Sequence, residues 1–227
     1  MATSHVGDGP SDTDSAPNRL VFLLAEFHQI GENSMIRRIV VAALVALTTA
    51  AVAPLGAAAH AAPLQPVPRV DLPRYLGVWH QVAANPAPFN IDCVRDTTAR
   101  YSLIDSRTIR VKNSCTTVTG AKRSIVGRAR VNGPASLHVS FPGVPGQSTV
   151  DGPSNYLVAY IADDYSWALV GDPTRLSGFV LSRSGSVDRA TWRSIRSVVE
   201  RKGYNSCLML TSPVTGGLRD IRPLCTV

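Results

Sequence analysis

The sequence predicts an all-β fold: an eight-stranded antiparallel up-and-down β-barrel with one α-helix packed on its outside near the C-terminus. Three observations carry this. Eight short runs between Gly77 and Arg183 alternate apolar and polar residues or are rich in β-branched and aromatic residues. Tight-turn residues separate most of them at hairpin length. Only one stretch of the C-terminal two thirds has helical period. Eight strands close with a small interior and leave no free edge. A sandwich of seven to nine strands is the alternative, but Greek-key crossovers need long connections, and only Pro142 to Asn155 is long enough.

The segment before the barrel reads as export machinery. From Met35 a basic Met-Ile-Arg-Arg is followed by an apolar run, Ile39 to Leu47, and by small residues ending Ala59-His60-Ala61. That is the order of a secretory signal with a cleavage site after Ala61. Pro54, Gly56 and the Ala-rich tail favour processing over a membrane anchor. The twin arginines Arg37 and Arg38 lack the pattern of a twin-arginine signal, so the general secretory route is expected. Residues 1–61 are therefore leader and signal peptide, and residues 62–76, with four prolines, an extended lead-in to the barrel at 77–227.

The strands are expected at Gly77 to Ala84, Thr97 to Leu103, Thr108 to Asn113, Ser124 to Val131, Ser136 to Phe141, Tyr156 to Ile161, Tyr165 to Gly171 and Phe179 to Arg183. Asp105-Ser106, Asn132-Gly133-Pro134, Asp163-Asp164 and Asp172-Pro173 supply turns between them. From Val187 to Lys202, Trp192, Ile195, Val198 and Val199 make one apolar stripe. Ser186 or Asp188 can cap the start of this helix and Gly203 its end. A short strand-like run, Cys207 to Thr211, follows.

All four cysteines, Cys93, Cys115, Cys207 and Cys225, lie after the cleavage site, in a chain bound for an oxidising compartment. No C-x-x-C spacing suggests zinc or redox work. Of the three pairings open to them, sequence proximity favours Cys93–Cys115 and Cys207–Cys225. The chain carries 23 Lys and Arg against 16 Asp and Glu. Its arginines are scattered and do not interleave with aromatics, which argues against nucleic acid and for a solvated basic surface.

The first strand opens Gly77-Val78-Trp79, just after a short lead. Downstream follow Pro88-Phe89, Cys93, Ala99-x-Tyr101, Ile109-x-Val111-x-Asn113, Gly127-x-Ala129, Leu137-x-Val139-x-Phe141, Tyr156-x-Val158 and Leu181-Ser182-Arg183. This order resembles the lipocalin family, in its bacterial and apolipoprotein D-like branch, over residues 73–210. His80 stands where the family usually has tyrosine, Asp163-Asp164-Tyr165 where Thr-Asp-Tyr is common, and Gly178-Phe179 where an aromatic often leads into the last strand. Independent of the name, a tryptophan at the narrow end plugs the barrel, an arginine can lie across its indole, and Gly77 permits the close approach.

Catalytic chemistry is not legible. His80 and His138 lie in no constellation with a nucleophile. His80 is expected outward beneath the helix, and His138 on a solvent face. Two distant histidines make no metal site, the glycines from Gly143 to Gly152 precede a strand and make no phosphate loop, and Asp163-Asp164 is a turn. No cofactor, metal or catalytic residue is expected. Binding remains, with Gln81 and Ala83, in phase with Trp79, and Phe89, Tyr101, Phe141, Tyr156, Val158 and Tyr160 as candidate lining. The resemblance implies a hydrophobic or amphipathic ligand, such as a fatty acid or lysophospholipid, carried by a secreted monomer. Arg95, Lys122, Arg123 and Arg175 at the mouth offer contacts to anionic headgroups. The alternatives are an enzyme on the same barrel, acting on a lipid or pigment, and a filled barrel that serves as an envelope interaction protein.

Overall fold

The computed structural model describes residues 62–88 and 92–227; the expected signal segment and Phe89 lie outside the described residues. The lead ends in a single helical turn, α1 (Leu72–Tyr75), capped by the Asp71 carboxylate on Arg74 N–H. The strands are β1 (Gly77–Ala84), β2 (Cys93–Asp105), β3 (Thr108–Thr117), β4 (Lys122–Gly133), β5 (Ser136–Ser140), β6 (Tyr156–Ile161), β7 (Trp167–Gly171) and β8 (Gly178–Ser182). Helix α2 (Arg189–Arg201) and a two-residue strand, β9 (Leu210–Thr211), complete the fold.

Neighbours in the sheet follow chain order from β2 to β8; β8 pairs with β1, and β1 with β2, which closes eight strands as expected. Strand β9 adds to the upper half of β1, at Ala83 and Ala84, after β2 has left that edge. Strands β2, β3 and β4 run several residues further toward the mouth than their alternation suggested, and Cys93–Cys115 bridges β2 to β3 there. Cys207–Cys225 ties the C-terminal tail to itself, so both expected pairings hold. The Asp105 and Asp164 carboxylates at the other end of the sheet, and that of Asp172 in the mouth loop after β7, each accept the N–H two residues on, fixing three of the expected turns.

The period of two divides the wall into two apolar faces. One, with Leu64, Val82, Leu169, Val180 and Met209, packs beneath Trp192, Ile195, Val198 and Val199 of α2. The other faces the lumen and contains Tyr75, Trp79, Ala99, Tyr101, Ile109, Val111, Leu137, Phe141, Val158 and Leu181. Asp188 caps α2 through Thr191 N–H, and Gly203 ends it at φ 81°. Opposite the helix, the same alternation collects Arg100, Arg110, Lys112 and Arg128 on the outer wall, although they are scattered in sequence.

Candidate functional site

The narrow end is closed by the signature residues. Trp79 is fully buried and donates from Nε1 to Tyr75 O at 2.8 Å. The Arg183 guanidinium lies 3.7 Å from its ring centroid and donates to Val78 O. Gly77, at φ 96°, passes beneath; a Cβ there would sit 3.3 Å from Arg183 Nη1.

Beside this plug three tyrosines meet. The Tyr156 hydroxyl lies 2.6 Å from that of Tyr75 and 3.0 Å from that of Tyr101. The Tyr75 ring stacks on that of Tyr101 with centroids 5.6 Å apart and lies tilted against Trp79 at 5.2 Å. Three hydroxyls carry three hydrogens, and two mutual bonds use two of them, so one phenolic donor is left over within the cluster. Burial pushes the Tyr101 phenol up to about 12, and burial together with the neighbouring phenols raises Tyr156 as well. The cluster is neutral across the physiological range.

Register aligns the next layer toward the mouth as one interior row: Trp79 opposite Ala99, Ala99 opposite Asn113, and Asn113 opposite Ile125. Ile125 is 38% exposed although it belongs to the interior face, so solvent reaches this face at its level. The Asn113 Oδ1 atom is buried and accepts no hydrogen bond among the described residues. An orphaned acceptor facing apolar neighbours costs about 1–3 kcal/mol. The sequence pointed to Asn113 only as part of the β3 resemblance; its exceptional position follows from register, which spacing alone does not fix.

Of the sequence-predicted lining, Tyr101, Phe141, Tyr156 and Val158 belong to the lumen face. Gln81 is opposite Leu181 of that face and donates to Ser212 Oγ at 2.8 Å. Ala83 and Tyr160 do not face the lumen. A bulge between Gln81 and Ala83 resets the parity of β1, and a second between Val158 and Tyr160 does the same in β6. Both residues pack on the helix side, Tyr160 against Trp167 with centroids 4.5 Å apart.

His138 is also corrected. It is on the outer wall, as its parity required, but is buried, because the β5–β6 loop folds back over it. Its Nδ1 lies 2.7 Å from Pro153 O and its Nε2 3.1 Å from Thr149 O. The mouth cations are engaged as well. Arg95 pairs with Asp96 at 3.0 Å, Arg123 pairs with Asp92, and Lys122 donates to Thr116 Oγ1. Arg175 donates to Lys202 O and Ala62 O, joining the helix end to the lead.

Comparison with known proteins agrees with this geometry. Residues 70–213 match the family model described as a lipocalin-like domain. A lipocalin of Acanthamoeba polyphaga mimivirus is 32% identical over 148 residues, 60% of this chain and 80% of that protein. Temperature-induced lipocalin-1 of Arabidopsis thaliana is 30% identical over 154 residues, 66% of this chain and 82% of that one. Among solved structures, insecticyanin of the tobacco hornworm Manduca sexta superposes with a TM-score of 0.52 at 17% identity, covering 70% of this chain and 93% of that one. A major cockroach allergen gives 0.51 at 16% identity, covering 64% and 88%. The two solved structures bear on the fold alone.

Proposed function

The chain belongs to the lipocalin family, and from that premise we propose that it is a secreted carrier that holds a hydrophobic or amphipathic small molecule in the upper half of its barrel. The observation that carries the proposal is the unpartnered Asn113 Oδ1 in an otherwise apolar interior row that opens at Ile125. A buried acceptor left unsatisfied by the protein is satisfied by a ligand donor. The leftover phenolic hydrogen belongs to the cluster of Tyr75, Tyr101 and Tyr156, of which Tyr101 stands on the adjacent interior row, opposite Val111. An acceptor and a donor at neighbouring levels suit a ligand hydroxyl, which both donates and accepts.

The ligand is therefore a lipid whose buried end bears a hydroxyl. A tail of about ten methylenes gives about 8 kcal/mol on burial, and after the cost of association this leaves an affinity near micromolar. Export through a signal cleaved near Ala61 is part of the same reading, and the two disulfides support an oxidising compartment. Because the rim cations already have partners, headgroup contact at the mouth is a secondary term. A second reading, a filled barrel that binds no ligand, is favoured by the aromatic packing of Tyr75, Trp79 and Tyr101 in the lower half.

Uptake of a fluorescent fatty alcohol separates the two. Wild type is expected to bind it, and Ile125→Trp, which blocks the mouth, to lose binding while remaining folded. A folded wild type that takes up no probe, or an Ile125→Trp variant that binds equally well, overturns the carrier reading in favour of the filled barrel. Native mass spectrometry of the secreted protein then names the co-purified molecule.

A further inference from the structure

A concavity lies at the narrow end, away from the mouth. The lead runs down the wall toward it on three backbone hydrogen bonds, from Leu64, Val67 and Val70 N–H to Pro173, Val158 and Pro134 carbonyls. Its prolines, Pro63, Pro66, Pro68 and Pro73, have no N–H to add. Beneath it the β5–β6 seam is short. The two strands pair at Ser136–Leu157 and Leu137–Tyr156. One further rung in the same register, Val158 N–H to Ala135 O, carries the seam into the β4–β5 connection.

Between the lead and this short seam lies a cleft of about 450 Å³. Val70, Leu72, Val131, Leu137 and Val158 give it an apolar surface, and Tyr75, Leu137 and Val158 belong also to the narrow-end part of the lumen face. Arg69 is the single charged residue of its lining and is exposed, with no ion pair among the described residues. The volume lies in the range of small-molecule sites. One turn of α-helix, about 10 Å across and 5.4 Å long, would already fill it, which excludes a docked helix.

We propose that this cleft is a second ligand site, separate from the mouth, for a small organic acid with an apolar body. The acid group lies against the Arg69 guanidinium, which offers paired N–H donors to a carboxylate or sulfonate. The apolar body replaces water over Val70, Leu72, Val131 and Val158. Val70 and Leu72 come from the lead itself, so the bound acid also fastens the lead to the barrel.

The probe is 8-anilinonaphthalene-1-sulfonate, an apolar acid that fluoresces in a dry site, titrated into the full exported chain. Wild type is expected to bind it. Val131→Trp, which fills the cleft, is expected to abolish that binding and to leave fatty alcohol uptake at the mouth intact; Ile125→Trp is expected to do the reverse. Arg69→Gln should weaken the sulfonate about fivefold and leave the neutral analogue N-phenyl-1-naphthylamine unchanged. If Val131→Trp fails to fold, Val70→Trp fills the cleft from the lead side. Sulfonate binding that survives filling of the cleft, or that is lost only in Ile125→Trp, overturns the second site. Neither outcome bears on the carrier reading, which the fatty alcohol tests by itself.

Discussion

The two faces of the barrel wall are made by alternate residues of the same strands, yet they are built differently. Beneath α2, Ile195, Leu169, Val180 and Met209 are fully buried with no polar atom among their side chains. On the lumen side, the same strands meet three phenols, an indole and an amide with an orphaned oxygen. The helix side is packed for stability. The lumen side places polar groups where they cost stability unless something else is bound.

The largest expected effect breaks this comparison at its apolar face. Ile195 has no exposure and sits centrally under the helix. Ile195→Ala should cost about 4 kcal/mol, from lost transfer energy and the cavity left behind. Urea unfolding followed by tryptophan fluorescence measures it. Uptake of the fatty alcohol at temperatures where the variant stays folded should match wild type, because no lumen residue is touched. A matching loss of affinity would show that the two faces are not separable.

The next effect belongs to the lumen and appears only in alkali. A phenol whose folded pKa lies above its unfolded value stabilises the fold fully below about pH 10, and that contribution is lost as pH rises through the folded value. For Tyr101, raised to about 12, the window is pH 10 to 12. The loss there is about 3 kcal/mol, at about 1.4 kcal/mol per pH unit per proton. Urea midpoints measured across that window should fall more steeply for wild type than for Tyr101→Phe. Equal slopes would mean that the tyrosine cluster does not hold its protons as buried phenols.

How much of this was legible in the sequence differs between the faces for a physical reason. Strand number, closure, the helix and both disulfides followed from period, turn chemistry and cysteine spacing, and the helix cap was narrowed to Ser186 or Asp188, of which Asp188 serves. The lumen needed parity, and parity fails at a bulge: one extra residue after Gln81 and another after Val158 sent Ala83 and Tyr160 to the helix side. His138 was placed on the correct face, but its burial depends on the fifteen-residue β5–β6 loop, whose path no period encodes. Asn113 and the meeting of Tyr75, Tyr101 and Tyr156 required the cross-strand register, which joins residues 81 positions apart.

The smallest effect has the opposite sign and separates the two faces most sharply. At the apolar face every truncation should destabilise. At Asn113 removal of polarity should not, because the amide oxygen is buried without a donor and its desolvation is uncompensated in the empty protein. Asn113→Leu keeps the four heavy atoms and the branch at Cγ, and sits between Ala99 and Ile125, with which leucine is compatible. The variant is therefore expected to be about 1 kcal/mol more stable than wild type in urea, and to bind the hydroxylated lipid about tenfold more weakly, since 1.4 kcal/mol of hydrogen bonding is forgone. The same two assays decide it. A variant that is destabilised and still binds would mean that the Asn113 amide is a structural group satisfied within the protein, and the lumen would then be an ordinary core. Gained stability with lost affinity would identify Asn113 as a position held polar for the ligand at the expense of the fold.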